Sequence, residues 1–227
     1  MVLAVVLAAL VAGGALVAAA VVRDRDAAGH AESTDPPVTT SSGPGRVGCL
    51  VEPCQVLANV PIGGTVVELV ADAGGRSGRL RIGGAGSSDV IEATITDRGA
   101  TLTGDSLQCF SGTLAACVLR GTVSGGATEG QVVVGRSGKW NALQTAFVSD
   151  AGYLALADLT PDVGPEVVAV QHRCDRATTA DCSGTRVYAE VYSVSSVLLG
   201  CTRNYTRLDS MPGFPNVDLS DATLQTC

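Results

Sequence analysis

Three groupings in the 227-residue chain combine residue types that could do chemistry. The first is Asp158-Leu-Thr160-Pro-Asp162-Val-Gly164-Pro-Glu166, a loop of spaced oxygen donors that runs into the short apolar stretch Val167 to Val170. Donors so placed either gather on a cation or turn back onto the loop's own amides. The second is Ser106 in Gly104-Asp-Ser-Leu107. A serine attacks only when a base takes its proton. The third is a set of eight cysteines, an even number, all of them beyond residue 48.

The histidine count limits what these groups can do. The chain has two histidines, His30 in a polar N-terminal stretch and His172 in the body. Any Ser-His-Asp site must therefore use His172, and a three-histidine metal site cannot be built. Gly104-Asp-Ser-Leu107 carries the letters of the GDSL hydrolase nucleophile block, whose base lies in Asp-x-x-His near the C-terminus; here the residue three before His172 is Ala169. The motif reads as a strand-and-turn coincidence. Carboxylate-pair hydrolysis stays open, since the chain has 22 Asp and Glu and a sequence gives no distances between them.

The elements that must position these groups begin at the N-terminus. Val2 to Val22 is an uninterrupted apolar run of 21 residues, long enough at about 1.5 Å per residue to cross a hydrocarbon core of about 30 Å. Residues 1–22 read as a transmembrane anchor, with a signal peptide cleaved after Ala18-Ala-Ala20 as the alternative. Residues 23–47 hold Pro, Gly, Ser and Thr and little to bury, and read as a disordered linker. Residues 48–227 form the body. Its cysteines argue for an oxidising compartment, hence a single-pass membrane protein with its C-terminal domain extracytoplasmic, or a secreted one.

Within the body, Gln55 to Val60, Thr65 to Ala71, Arg79 to Ile82 and Val90 to Thr96 are short β-branched runs separated by glycine-rich turns, the outline of a β meander. Aromatics make up only 4 % of the chain while glycines number 28, which suits strands and tight turns over long helices. The fold class read here is all-β: antiparallel sheets in a partial propeller-like or β-sandwich domain. The glycine cluster at 83–86 lacks the Lys-Ser/Thr of a phosphate loop, so no nucleotide cofactor is expected. The formal charge of −7 and the absence of a basic stripe argue against nucleic acid. Lys139 to Phe147 holds the only tryptophan; the spacing of Trp140, Leu143 and Phe147 suits a short helix or a strand whose aromatics cap the core.

Laying residue 97 on residue 162 matches Asp97, Gly99, Cys109, Thr113, Ala115 and Cys117 with Asp162, Gly164, Cys174, Thr178, Ala180 and Cys182, six identities in 21 positions. Residues 97–117 and 162–182 thus read as a duplicated unit containing a hairpin clipped at its base. Locality predicts the bonds Cys109–Cys117 and Cys174–Cys182, leaving Cys49–Cys54 and Cys201–Cys227. A metal pair at Cys49 and Cys54 is the weaker reading, because zinc needs four ligands.

The stretch from Ala157 to Val170, followed by Thr185-Arg-Val-Tyr-Ala-Glu-Val-Tyr-Ser193, resembles one repeat of the FG-GAP, or integrin-type, β-propeller family over residues 150–193. The family pattern is Asp-x-Asx-x-Asp-Gly-x-x-Asp before a strand and a Val/Tyr-rich hairpin. Carried over, the resemblance implies a Ca²⁺ site in which Asp158, Thr160, Asp162 and Glu166 donate side-chain oxygens and Gly164 its carbonyl. Thr160 departs from the acidic or amide residue of the pattern, and Val163 from its glycine. The alternative, in which the acidic groups hydrogen-bond turn amides, stands beside it. Closed propellers have at least four blades, and the body is long enough for three.

The function these readings favour is an extracytoplasmic binding or interaction module with a protein or glycan ligand. Two alternatives are an extracellular hydrolase using an unplaced carboxylate pair, and a structural component of a bacterial cell envelope.

Overall fold

Twelve strands follow one another as three four-stranded antiparallel meanders in a computed structural model that describes residues 51–85, 87, 89–161, 164–174, 182 and 184–227. The first sheet runs β1 (Gln55–Ile62), β2 (Thr65–Ala71), β3 (Gly78–Ile82), β4 (Asp89–Glu92). The second runs β5 (Leu107–Phe110), β6 (Ala115–Thr122), β7 (Thr128–Arg136), β8 (Lys139–Ser149). The third is β9 (Leu154–Ala157), β10 (Glu166–His172), β11 (Val187–Ser193) and β12 (Leu198–Cys201). Helical structure among the described residues is limited to short 3-10 turns, and none of it is long and apolar enough to cross a membrane. The expected anchor at 1–22 and linker at 23–47 lie outside the described residues.

The three sheets stack face to face. Alternation along β6 and β7 sends Cys117, Leu119 and Val133 into a core shared with Leu69, Leu80 and Ile82 of the first sheet. The intervening Ala116, Val118 and Val132 meet Leu154, Leu156, Val167 and Ala169 of the third. A strand buried on both faces cannot show the polar-apolar alternation of a half-exposed one, which explains the unbroken runs Ala116 to Leu119 and Val167 to Val170. The outward face of the third sheet, with Val168, Val170, Ala189 and Val191, is covered by Tyr205, Met211, Val217 and Leu219 of the C-terminal tail. The tail is tied back by the Cys201–Cys227 disulfide and by a β-bridge between Cys201 and Gln225.

Side chains fasten one sheet to the next where the strands cannot. The Gln108 carboxamide on β5 mimics a neighbouring strand, donating to Leu156 O at 3.1 Å and accepting from Leu156 N at 3.0 Å. Gln131, only 4 % exposed, accepts from Thr94 N at 2.8 Å and donates to Glu92 O at 3.0 Å. That clamp ends β4 at Glu92 and turns Thr94–Arg98 into a 3-10 helix, whereas the β-branched run to Thr96 suggested a longer strand. The stretch around Trp140 is the strand alternative, within β8.

Cys109 and Cys117 are opposite one another in the β5–β6 hairpin and are bonded. Cys174 and Cys182 are bonded at the base of the β10–β11 connection. Cys54 is also disulfide-bonded, and its expected partner Cys49 lies outside the described residues. The two Cys-x7-Cys clips close different hairpins of their sheets, the first joining strands one and two, the second strands two and three.

Candidate functional site

The spaced-donor loop joins β9 to β10, and its described acidic groups part ways. Asp158 is exposed just after β9. Glu166, the first residue of β10, is 1 % exposed. Its carboxylate accepts a hydrogen bond from Leu159 N at 2.7 Å and another from the Thr160 hydroxyl. Thr160 and Glu166 are therefore brought together, and the loop is cinched by its own carboxylate. Gly164 is buried, where an added Cβ would come within 3.1 Å of Leu114 Cδ2; Asp162 and Val163 lie outside the described residues. Among the described residues no three His, Cys, Asp or Glu side chains are grouped to hold a metal.

Ser106 is equally occupied. It ends the 3-10 turn Gly104–Ser106, is 3 % exposed, and its Oγ accepts from Thr103 N at 2.8 Å while Thr103 Oγ1 accepts from Asp105 N. That is a capping box, which satisfies orphan amides at a helix start, and no histidine takes part. His172 sits in the third sheet, where its backbone N–H donates to Asp150 Oδ1 at 2.6 Å.

A further polar cluster lies around Glu190 on β11. Its carboxylate accepts from Tyr192 OH at 2.8 Å, Gln171 Nε2 at 3.0 Å and Tyr188 OH at 3.4 Å. Burial, reinforced by the hydrogen bond to Glu190, pushes the Tyr192 phenol well above its ordinary range. Burial and then the Glu190 charge raise Tyr188 as well. Tyr192 meets Phe147 edge to face at 5.5 Å, which joins the cluster to β8.

The remaining arrangement is built around Trp140. Ser137 and Gly138, both at positive φ (52° and 77°), make the two-residue turn from β7 to β8, as such hairpins require. This sets Trp140 directly across from Gly135. The indole lies on that glycine so closely that a Cβ would come within 2.5 Å of Trp140 Cε2. Part of the ring packs on the core between the first two sheets. The rest lines two adjoining cavities, about 350 Å³ between β4 and the start of β8, and about 510 Å³ among the turns Gly63-Gly64, Gly83, Gly112 and Ser137-Gly138. Asp89 lines both cavities and is exposed; Asn141, which borders the first, follows Trp140 on β8 and turns its side chain to the opposite face of the strand. Among the described residues, the Trp140 indole N–H and the Asp89 carboxylate make no hydrogen bond.

No family model matches the chain, no curated protein matches its sequence, and no solved structure matches its fold. The site therefore rests on its own geometry. The sequence marked Trp140 as a core cap and did not single out Asp89. The signal available was the Gly135-Arg-Ser-Gly-Lys-Trp140 hairpin, in which a two-residue turn forces glycine and tryptophan into register.

Proposed function

We propose that residues 48–227 form an extracytoplasmic binding module, held at the membrane through residues 2–22 or secreted, whose ligand lies in the groove over Trp140. One observation carries this reading. Glu166, Ser106 and Glu190 at the other candidate sites are engaged by the protein itself, while Trp140 and Asp89 line two adjoining cavities together and, among the described residues, their side-chain polar groups make no hydrogen bond. A mostly pre-formed concave site with an aromatic wall and a few placed polar groups is the usual form of a ligand site. The disulfides support the extracytoplasmic assignment, since such bonds persist in oxidising compartments. The stacked meanders support reading the body as three blades of a partial propeller, with the FG-GAP-like stretch 150–193 spanning β9 to β11.

Trp140 is the only tryptophan, so the emission of the full-length protein reports the groove directly. In a screen of defined oligosaccharides and peptides, at least one class is expected to shift that emission saturably. Calorimetry should then find the binding lost in Trp140→Ala and unchanged in Asp158→Ala. Full-strength binding by Trp140→Ala would place the ligand elsewhere and end the proposal.

A further inference from the structure

Resting on the groove reading above, we infer that the ligand is a neutral glycan chain, laid with the C–H face of one sugar ring against Trp140 and hydroxyls at its edge on Asp89. A pyranose ring has an apolar face of axial C–H groups and an equatorial rim of hydroxyls, each able to donate and accept. Its complement is a flat aromatic surface flanked by a planar side chain with two acceptor oxygens, which Asp supplies. Trp140 is held for this role before any ligand arrives. Gly135 supports it from below, and the Ser137-Gly138 turn fixes its position along the strand. An ordered platform loses little entropy on binding.

The groove's charge points the same way. Among the described residues, Asp89 and Lys139 are the only charged ones lining either cavity, one of each sign, and none of the lining residues is an arginine. A phosphate or an anionic polymer would find no excess positive field there. An extended peptide fares worse for a different reason. Strand addition needs a free, regular edge, whereas β4 has four residues and the register of β8 on β7 breaks between Gln131 and Val133. A bulged or very short edge discourages added strands. The two cavities share Ile82, Asp89, Gly138 and Trp140 in their walls, and their combined room suits a chain instead of a single sugar. The turns lining the larger one are rich in glycine, so little side-chain bulk stands in the path of a chain.

The test uses full-length protein and neutral tetrasaccharides of β-1,4-glucose, β-1,4-N-acetylglucosamine and α-1,6-mannose, alongside uncharged octapeptides. At least one tetrasaccharide is expected to change Trp140 emission saturably, with an affinity that holds between about 50 and 500 mM NaCl because no ion pair is involved. By calorimetry Trp140→Ala should weaken it about 30-fold or more, and Trp140→Phe should restore part of the loss. Asp89→Asn, an exposed change that spares the core, should weaken it about 5-fold. Peptide binding through Trp140 without saccharide binding would overturn the glycan inference and leave the groove standing. No response from any probe would overturn both. Saccharide binding unaffected by Trp140→Ala and Asp89→Asn would also overturn both, by putting the sugar elsewhere.

Discussion

The loop at 158–166 and the groove at Trp140 hold similar amounts of polar chemistry and use it in opposite ways. In the loop, the buried Glu166 side chain reaches back to an amide and a hydroxyl of its own turn, so its oxygens hold the backbone in place. In the groove, the exposed Asp89 carboxylate stands beside an aromatic ring and, among the described residues, accepts no hydrogen bond. Residue type did not separate the two. What separates them is whether a polar group is buried and bonded by the protein or exposed at a cavity wall, because the first contributes to the fold and the second is available to a ligand.

The contrast can be broken most sharply at Glu166. Replacement by Ala strips two donors of their acceptor inside the loop and is expected to lower stability by about 2–4 kcal/mol, read as a fall in the urea midpoint at unchanged slope; a change under about 0.5 kcal/mol would mean that the loop is not self-closed. Gly135→Ala, next in size, drives a methyl into the indole. About 1–3 kcal/mol of overpacking is expected, together with a shift in tryptophan emission as the ring leaves its seat. If emission does not move, the platform is not rigid and the groove loses its distinction. The Glu190 cluster belongs to the closed kind, and alkali tests it. Tyr192 has a folded pKa above the ordinary 10.0, so above about pH 10 the unfolded chain gives up the proton first and the folded one retains it. The stability this group contributes is thus whole below pH 10 and is lost as pH rises toward the folded value. Tyr192→Phe should flatten that alkaline slope, and an unaltered slope would dissociate the phenol from Glu190. The smallest effect is expected from Ca²⁺. With the Glu166 oxygens engaged, millimolar Ca²⁺ and chelator should give the same melting midpoint in the parent and in Asp158→Ala. A rise confined to the parent would show the loop open to a cation and erase the contrast.

Much of the fold was legible in the sequence. The glycine-punctuated β-branched runs at 55–60, 65–71 and 79–82 became β1, β2 and β3 with shifts of a residue or two at their ends. Locality of spacing anticipated the bonds Cys109–Cys117, Cys174–Cys182 and Cys201–Cys227. The end of β4 was not legible, because it is set by Gln131, far along the chain. Nor was the difference between Glu166 and Asp89. A carboxylate's partners depend on which way its strand faces and what lies across the loop. For Glu166 the partners are seven and six residues away but appear only once the turn is folded. Trp140 was visible as an anchor from composition; its second role depends on two sheets meeting beside it.

The order of the strands also governs how the molecule can be assembled. Each sheet is made of four consecutive strands, and the described disulfides join residues only 8, 8 and 26 positions apart. Contacts of such short range close quickly, since little chain entropy is lost in forming them. A chain emerging amino end first can therefore finish and staple one sheet before the next exists, and each completed sheet offers its apolar face as the template on which the following one is laid. The segment that covers the third sheet's outer face is locked by the Cys201–Cys227 disulfide and can seat only once that sheet has formed.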